Sequence, residues 1–173
     1  RDDMRALIDA WWPRVSSGEI EAIVMTASGC GSTVKEYGHL LARDSRYADR
    51  AARIAAMTRD LVEVLAAELV RIEPLVAAKP AERVAFHPPC SLQHGQQIRG
   101  EVERVLTAAG VELVPVADAH LCCGSAGTYS ILQPAIANQL KTRKLNHLQA
   151  GAPEMIATAN IGCLTHLQSG SAV

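Results

Sequence analysis

The stretch MIATANIGC, residues 155–163, decides the fold, because a similar stretch, AIVMTASGC, occurs at residues 22–30. Each contains an apolar run of strand length and a Thr-Ala step, and each ends in a Gly-Cys pair. Apolar runs followed directly by glycine are typical of buried strands that lead into tight loops. The sequence therefore predicts two copies of one strand-and-loop unit, with Cys30 and Cys163 at equivalent positions.

Strand and helix patterns alternate between the two stretches. The apolar runs RVAFHPP and VELVPVA predict strands at residues 83–89 and 111–117. Residues 101–109 predict a helix, and Pro134 and Gly151 are typical of the start and the end of another. This alternation predicts an α/β fold of parallel-sheet, Rossmann-like lobes with flanking helices.

Helices are also predicted in the first half of the chain. Residues 4–12 have helical spacing and stop at Pro13, which predicts a short first helix. From residue 45 to residue 72, apolar side chains recur at intervals of three or four, or at sums of these. This pattern predicts one long amphipathic helix that faces the core.

Four cysteines form the strongest chemical motif. Cys90 is followed after 31 residues by Cys122-Cys123-Gly124 and after 38 more by Cys163, each at or just beyond the end of a predicted strand. Loops at the carboxyl ends of parallel strands converge on one crevice. Thiolates suit zinc and iron–sulfur clusters, and adjacent cysteines serve two irons more readily than one tetrahedral zinc. The motif therefore predicts an iron–sulfur site.

Two features support metal binding over packing or disulfides. Five cysteines are an odd number for a disulfide framework, and an adjacent pair bridges only with strain. A single free cysteine is most often buried for packing alone, but a doublet in a glycine loop is not typical of that role.

Three glycines lie near the cysteines. Backbone N–H groups at Gly29, Gly124 and Gly162 can donate to cluster sulfurs, with simple turn formation as the alternative.

Three histidines lie near the cysteines. His166 is the third residue after Cys163, where a CxxC pair would have its second thiol, and imidazole can replace a thiolate on iron or zinc. His87 and His94 flank Cys90 as possible outer donors or weak ligands, or as ordinary loop histidines. We therefore predict His166 as a candidate ligand beside the cysteines.

Composition excludes several classes of protein. The chain has 173 residues, 49% of them hydrophobic, a formal net charge of −1 and no basic cluster, so neither nucleic acid nor an anionic membrane surface is indicated. The sequence contains no signal peptide, and no apolar run approaches the roughly 18 residues that a membrane span needs. These features favour a cytoplasmic location. No nucleophile–base pair or nucleotide-binding glycine loop is present, so no catalytic residue is predicted.

Longer stretches carry a family resemblance that covers nearly the whole chain. With the cysteine spacing, they resemble the cysteine-rich CCG domain that heterodisulfide reductases share with partner subunits of several flavoenzymes. Within that family they are most similar to the iron–sulfur subunits of glycolate oxidases. The stretches are VMTASGCGSTVKEYGHLL (24–41), HPPCSLQHGQ (87–96), CCGSAGTYSILQP (122–134) and ANIGCLTH (159–166).

The resemblance implies a domain organisation. It implies that the chain, which begins at Arg1, is a fragment of a longer protein with two ferredoxin-type clusters and two CCG units. Residues 1–80 would be the end of the first CCG unit with a connecting helix, and residues 81–173 the complete second unit. The second motif would comprise Cys90, Cys122, Cys123 and Cys163, with Cys30 as the last position of the first.

The resemblance also implies a function. The protein would be a non-catalytic subunit that carries electrons from FAD-containing subunits, which oxidise glycolate to glyoxylate, towards a membrane carrier. It would be cytoplasmic and peripheral at the inner membrane through its complex. Two alternatives stay open: a related subunit for lactate or glycerol-3-phosphate oxidation, and a structural zinc-binding or subunit-docking module.

One departure from the family pattern affects the cofactor. The heterodisulfide reductase pattern ends in CxxC, whereas Cys163 is followed by Leu164, Thr165 and His166. A 4Fe–4S cluster is the expected cofactor, and the missing thiol leaves a smaller or more labile cluster, a zinc ion or no metal as alternatives in the isolated fragment.

Overall fold

The described residues form two parallel sheets, and in each sheet one strand leads into a helix with a cysteine in its first turn. The computed structural model describes residues 1–72, 74 and 83–170. The chain divides into two compact units, Arg1–Val64 and Leu65–Val173. The predicted boundary between residues 80 and 81 lies outside the described residues and stays a prediction.

The first unit combines a two-stranded parallel sheet with helices. Its strands pair with Ile23 opposite Thr58. Ile8, Ala51 and Ile54 are fully enclosed in its core, which is built mainly from aliphatic side chains. In chain order the elements are α1 (Asp2–Ser17), β1 (Ile23–Met25), α2 (Ser28–Lys35), α3 (Tyr37–Leu40), α4 (Ala48–Met57), β2 (Thr58–Asp60) and α5 (Leu61–Ala67), which runs into the second unit.

The prediction of one long helix over residues 45–72 is wrong, because β2 interrupts it. Thr58 ends α4, and its hydroxyl donates to the Ile54 carbonyl at 2.8 Å. The Asp60 carboxylate accepts the Val62 N–H at 3.2 Å, while the Glu63 carboxylate accepts the Asp60 N–H at 2.7 Å. This reciprocal pair starts α5 as a capping box does, and the Asp-x-x-Glu spacing was its signal in the sequence.

The predicted stop of the first helix at Pro13 is also wrong, because α1 continues to Ser17 and ends at Gly18 in the left-handed conformation (φ 77°). Proline costs an interior helix one hydrogen bond and a steric clash. Ile8 and Val15 lie two turns apart on the buried face of α1, on either side of Pro13. Their burial anchors the helix on both sides of Pro13 and offsets the local penalty.

The predicted tight loop at residues 28–31 forms the first turn of α2 instead. Ala27 is extended (φ −127°), and its carbonyl accepts the Gly31 N–H at 3.0 Å. Gly29 and Gly31 do not have the positive φ of a glycine turn. Cys30 therefore lies at the amino-terminal end of a helix, as Cys163 does in the second unit.

The second unit contains a three-stranded parallel sheet in the order β4-β3-β5. Val84 lies opposite Met155, and His87 lies opposite Thr158. The elements are α6 (Leu69–Ile72), β3 (Arg83–His87), a π-helical turn (Ser91–Gly95), α7 (Glu101–Ala108), β4 (Glu112–Leu113), α8 (Tyr129–Leu132), α9 (Pro134–Gln149), β5 (Met155–Thr158) and α10 (Ile161–Gln168).

The prediction of an α/β fold with parallel sheets and flanking helices is confirmed. The strand predicted at residues 111–117 is shorter than expected, because only Glu112 and Leu113 form regular pairs with β3. The Val114 N–H still donates to the Val84 carbonyl at 2.9 Å. Pro115 follows and has no N–H to continue the ladder. In the described ranges, no helix is both long and apolar enough to cross a bilayer.

Candidate metal centre

The four cysteines of the spaced motif lie at one edge of the three-stranded sheet. Cys90 follows β3, the Cys122-Cys123 pair lies in the loop between β4 and α8, and Cys163 is the third residue of α10, which follows β5. Because the three strands are parallel neighbours, the segments that follow them leave the sheet at the same edge. The topology therefore brings together cysteines that are far apart in the sequence.

The four thiol groups contact one another in a row. Cys90 hydrogen-bonds with Cys122, Cys122 with Cys123, and Cys123 with Cys163. Cys123 is 1% and Cys163 is 8% exposed, whereas Cys90 and Cys122 are half-buried. The row therefore has a dry end at Cys123 and Cys163 and a more open end at Cys90 and Cys122.

His87 adds an imidazole to the dry end of the row. It is the last residue of β3 and is 0% exposed. One ring nitrogen and the Cys123 and Cys163 sulfurs all lie within 4.8 Å of one another. One ring nitrogen faces the Cys163 sulfur, and the other has no hydrogen-bonding partner in the described part of the chain. Because a buried polar atom without a partner is costly, the imidazole indicates a position for a bound ligand such as a metal.

Hydrogen bonds within the row set the acidity of each thiol. The pKa of Cys122 lies far below the ordinary thiol value, because Cys123 and Cys90 donate to its sulfur. The hydrogen bond with Cys123, followed by the one with His87, outweighs burial and lowers the pKa of Cys163 to about 5. As donors to Cys122, Cys90 and Cys123 have strongly raised pKa values. Cys122 and Cys163 are therefore the sulfurs that lose a proton most readily, which prepares them to bind a soft cation.

Backbone N–H groups in the cysteine loop also point at sulfur. The Gly124 N–H donates to the Cys122 sulfur at 3.3 Å, and the Ser125 N–H donates to Cys123. Gly124 has a φ of 96°, and a Cβ added to it would collide with the Ala137 carbonyl oxygen. Glycine is therefore required here by both the backbone conformation and the close approach of α9.

Gly162 has a different role from Gly124 in the described structure. Asn160 caps α10, with its side-chain oxygen accepting the N–H groups of Gly162 at 2.9 Å and Cys163 at 3.3 Å. The Asn160 side-chain amide also donates to the Ser91 hydroxyl at 3.4 Å. The Gly162 N–H is therefore already bonded to Asn160, and a cluster sulfur would have to share it.

The predicted site residues Gly29 and Cys30 lie in the first unit. Both are in the first turn of α2, and Cys30 is exposed. The Gly29 carbonyl accepts the Thr33 hydroxyl at 3.1 Å. In both copies of the repeat a short strand leads to a helix whose third residue is cysteine, but Ala27 provides no side-chain cap in place of Asn160. Ligation by Cys30 stays a prediction.

His166 lies in α10, three residues beyond Cys163. Its Nε2 atom is buried without a hydrogen-bonding partner among the described residues, but the three-residue group around Cys163 contains His87 instead. His94 lies on the exposed side of the π-helical turn, with Nε2 3.3 Å from the His120 carbonyl oxygen. Ligation by His166 therefore stays a prediction, and His87 is the residue whose importance the sequence pattern did not reveal.

The side chains at this edge fit a thiolate-bound metal centre. Four sulfurs in a row provide the soft donors that iron–sulfur clusters and zinc prefer, and His87 provides a nitrogen donor beside Cys123 and Cys163. Cys123, Cys163 and His87 are shielded from water. The site can therefore hold either a cluster or a single ion.

Comparison with known proteins identifies relatives of the chain. Residues 84–168 match the family model of the CCG cysteine-rich domain. The glycolate oxidase iron-sulfur subunit of Escherichia coli (strain K12) is 54% identical over 164 residues, 94% of this chain. Lactate utilization protein A of Geobacillus thermodenitrificans (strain NG80-2) is 32% identical over 95% of this chain. The probable glycolate oxidase iron-sulfur subunit of Bacillus subtilis (strain 168) is 30% identical over 88%.

The chain spans only part of each relative. The matched region covers 39% of the E. coli protein, 64% of the G. thermodenitrificans protein and 34% of the B. subtilis protein. The predicted resemblance to glycolate oxidase iron–sulfur subunits and to the CCG domain is confirmed.

Replacing Cys122 with serine is expected to remove most of the bound metal, because Cys122 contacts both Cys90 and Cys123 within the row. Replacing the exposed Cys30 with serine is expected to leave this metal in place. Metal per chain in each variant, measured by inductively coupled plasma mass spectrometry after anaerobic purification, checks this. Equal loss in both variants would contradict the assignment of Cys30 to a separate unit.

Replacing His87 with leucine is expected to reduce the metal content without lowering the melting temperature of the metal-free protein. The substitution removes two buried nitrogens that have no partner among the described residues other than the Cys163 thiol, and it leaves an apolar side chain of similar size. His94→Leu, at an exposed position, is the matched control. Full metal content in His87→Leu, or a metal-free protein that no longer melts cooperatively, would show that His87 serves packing alone.

Proposed function

Residues 84–168 belong to the CCG cysteine-rich domain family, and on that premise we propose that the chain is the electron-transfer part of an iron–sulfur subunit of a glycolate-oxidising enzyme. The observation that carries the proposal is the row of four contacting cysteine sulfurs at the carboxyl edge of a parallel sheet. The 54% identity to a glycolate oxidase iron-sulfur subunit supports the choice of enzyme.

The residues of the row suit a 4Fe–4S cluster, which binds four thiolates and supplies one-electron transfer when bound. Cys90, Cys122, Cys123 and Cys163 provide the four sulfurs. Burial of Cys123 and Cys163 keeps water from one side of the site. The N–H groups of Gly124 and Ser125 donate to cysteine sulfurs, which favours the reduced, more negative state. These residues therefore hold, shield and tune the site, and none of them acts on a substrate.

The proposal extends to the partners of the chain. FAD-containing subunits would bind glycolate and oxidise it to glyoxylate, and the electrons would continue towards a membrane carrier. The complex would be cytoplasmic and peripheral at the inner membrane. The similarity to subunits named for glycolate oxidase supports a multi-subunit enzyme, and the similarity to lactate utilization protein A keeps lactate as an alternative substrate.

A structural zinc site is the second candidate, and one observation favours it. A ring nitrogen of His87 and the Cys123 and Cys163 sulfurs all lie within 4.8 Å of one another, a spacing compatible with three ligands of one tetrahedral ion. In that case the thiolates would fasten the loops after β3, β4 and β5 and would carry no electrons.

Metal analysis separates the two candidates. We expect the anaerobically purified protein to contain iron and acid-labile sulfide in equal amounts, and to give a cluster paramagnetic resonance signal in one redox state. The signal is expected to disappear in Cys123→Ser, which removes the most buried sulfur of the row. One zinc per chain without acid-labile sulfide would overturn the electron-transfer proposal and support the zinc site.

Growth of a deletion strain identifies the substrate of the parent enzyme. A strain that lacks the gene is expected to lose growth on glycolate and to keep growth on lactate and on glycerol 3-phosphate. Complementation with the wild-type gene should restore growth, whereas complementation with Cys123→Ser should not. Loss of growth on lactate alone would assign the chain to lactate oxidation instead.

A further inference from the structure

Lys144 is a buried cation on the side of α9 that faces the cysteine loop. Its side chain is 2% exposed. Its ammonium group donates to the Asp118 carbonyl at 2.7 Å and to the Ala119 carbonyl at 3.3 Å. These carbonyls lie on the segment between β4 and Cys122. Lys144 therefore holds the loop that carries the cysteine pair.

The two carbonyl groups do not balance the charge of Lys144. Among the described residues, no carboxylate lies within 4.0 Å of its ammonium group, and the Asp118 carboxylate instead pairs with Arg143 at 2.8 Å. A buried ammonium group without an opposite charge is costly to a folded protein. Its position therefore requires negative charge elsewhere in its surroundings.

The cysteine row is the source of that negative charge. Helix α9 packs directly against the cysteine loop, since a Cβ on Gly124 would collide with the Ala137 carbonyl oxygen, and Leu145 and Leu148 share a core cluster with Cys123 and Cys163. Burial lowers the pKa of Lys144, and Cys90 and Cys123, once deprotonated as metal ligands, act in the opposite direction together with Asp118. Metal binding deprotonates the sulfurs of the row, and the resulting thiolates then stabilise the charged ammonium group. In this low-dielectric setting, a charge acts more strongly on its neighbours than it would in water.

We propose that the buried positive charge of Lys144 acts as a counter-charge, which partly neutralises the negative charge of the thiolate-bound centre and raises its reduction potential. The inference rests on the proposed function, because it assumes a redox-active cluster in the cysteine row. A fixed positive charge stabilises the reduced form, which has one more negative charge than the oxidised form. Net charge around a cluster is one of the properties that set its potential. Lys144 is thus a positioning and tuning residue, since it contacts the loop carbonyls and not the electron donor or acceptor.

Redox titration of Lys144→Met tests the inference, because methionine keeps much of the side-chain length and removes the charge. The measurement uses the anaerobically purified protein and follows the paramagnetic signal that is lost in Cys123→Ser. We expect the equilibrium constant for reduction of the cluster to be about tenfold lower in Lys144→Met than in the wild type. For one electron this corresponds to a reduction potential lower by about 59 mV. Lys144→Arg, which keeps the charge, should remain within about threefold of the wild type.

Lys141→Met is the matched control. Lys141 lies one turn earlier on α9, and its ammonium group donates to the Ser169 hydroxyl at 2.9 Å. This substitution removes the same charge from the same helix and should leave the potential unchanged. Equal shifts in the two methionine variants would overturn the inference, since they would show a general effect of net charge.

The remaining outcomes also decide between the hypotheses. A wild-type protein without iron and sulfide would overturn the proposed function itself. A wild-type cluster with an unchanged potential in Lys144→Met would overturn only the role of Lys144. If Lys144→Met fails to hold the cluster, retention of iron in Lys144→Arg supports the counter-charge, and loss of iron in both variants overturns it in favour of a packing role.

Discussion

The parallel alignment of β4, β3 and β5 is the constraint on which the cysteine site depends. β3 lies between its neighbours, and its register places His87 opposite Thr158, just before the turn into α10. Side chains alternate between the faces of a strand, so a slip of one residue would turn His87 to the opposite face. The imidazole and the Cys163 sulfur would then separate. The continuous burial of β3 from Val84 to His87 opposes such a slip.

Local sequence patterns were sufficient to predict that the cysteines converge. Each cysteine locus follows an apolar run, and the fold class determines where the ends of parallel strands meet. The same patterns were insufficient at residues 45–72, because helical spacing of apolar residues does not reveal a three-residue strand. Side-chain hydrogen bonds of Thr58 and Asp60 to nearby backbone groups compete with helical hydrogen bonds, and they interrupt the helix at β2. The glycines near Cys30 and Cys163 likewise indicated loops, although both cysteines lie in first turns of helices.

His87 and Lys144 were harder to recognise because each is polar and buried. Position in the chain offered a signal for both. His87 ends the apolar run of β3, and Lys144 lies seven residues after Ala137 and four before Leu148, on the buried face of α9. A polar residue on a predicted core stripe is unexpected for packing, and the three-dimensional contacts are needed to show what it faces. Here His87 faces Cys123 and Cys163, and Lys144 donates to carbonyls of the loop that carries the cysteine pair.

The balance of burial and charge explains why this edge of the sheet is a binding site and not only a part of the core. In the described structure, a buried ring nitrogen of His87 lacks a partner, and the Lys144 charge is only partly offset by the Asp118 carboxylate and by a row in which Cys90 and Cys123 are the thiols least ready to lose their protons. Both features cost stability. A cation that displaces those protons leaves four thiolates, which can bind metal and compensate Lys144 together. Metal binding is therefore coupled to the stability of the second unit, since a bound metal gives the buried His87 nitrogen a partner and balances the charge of Lys144.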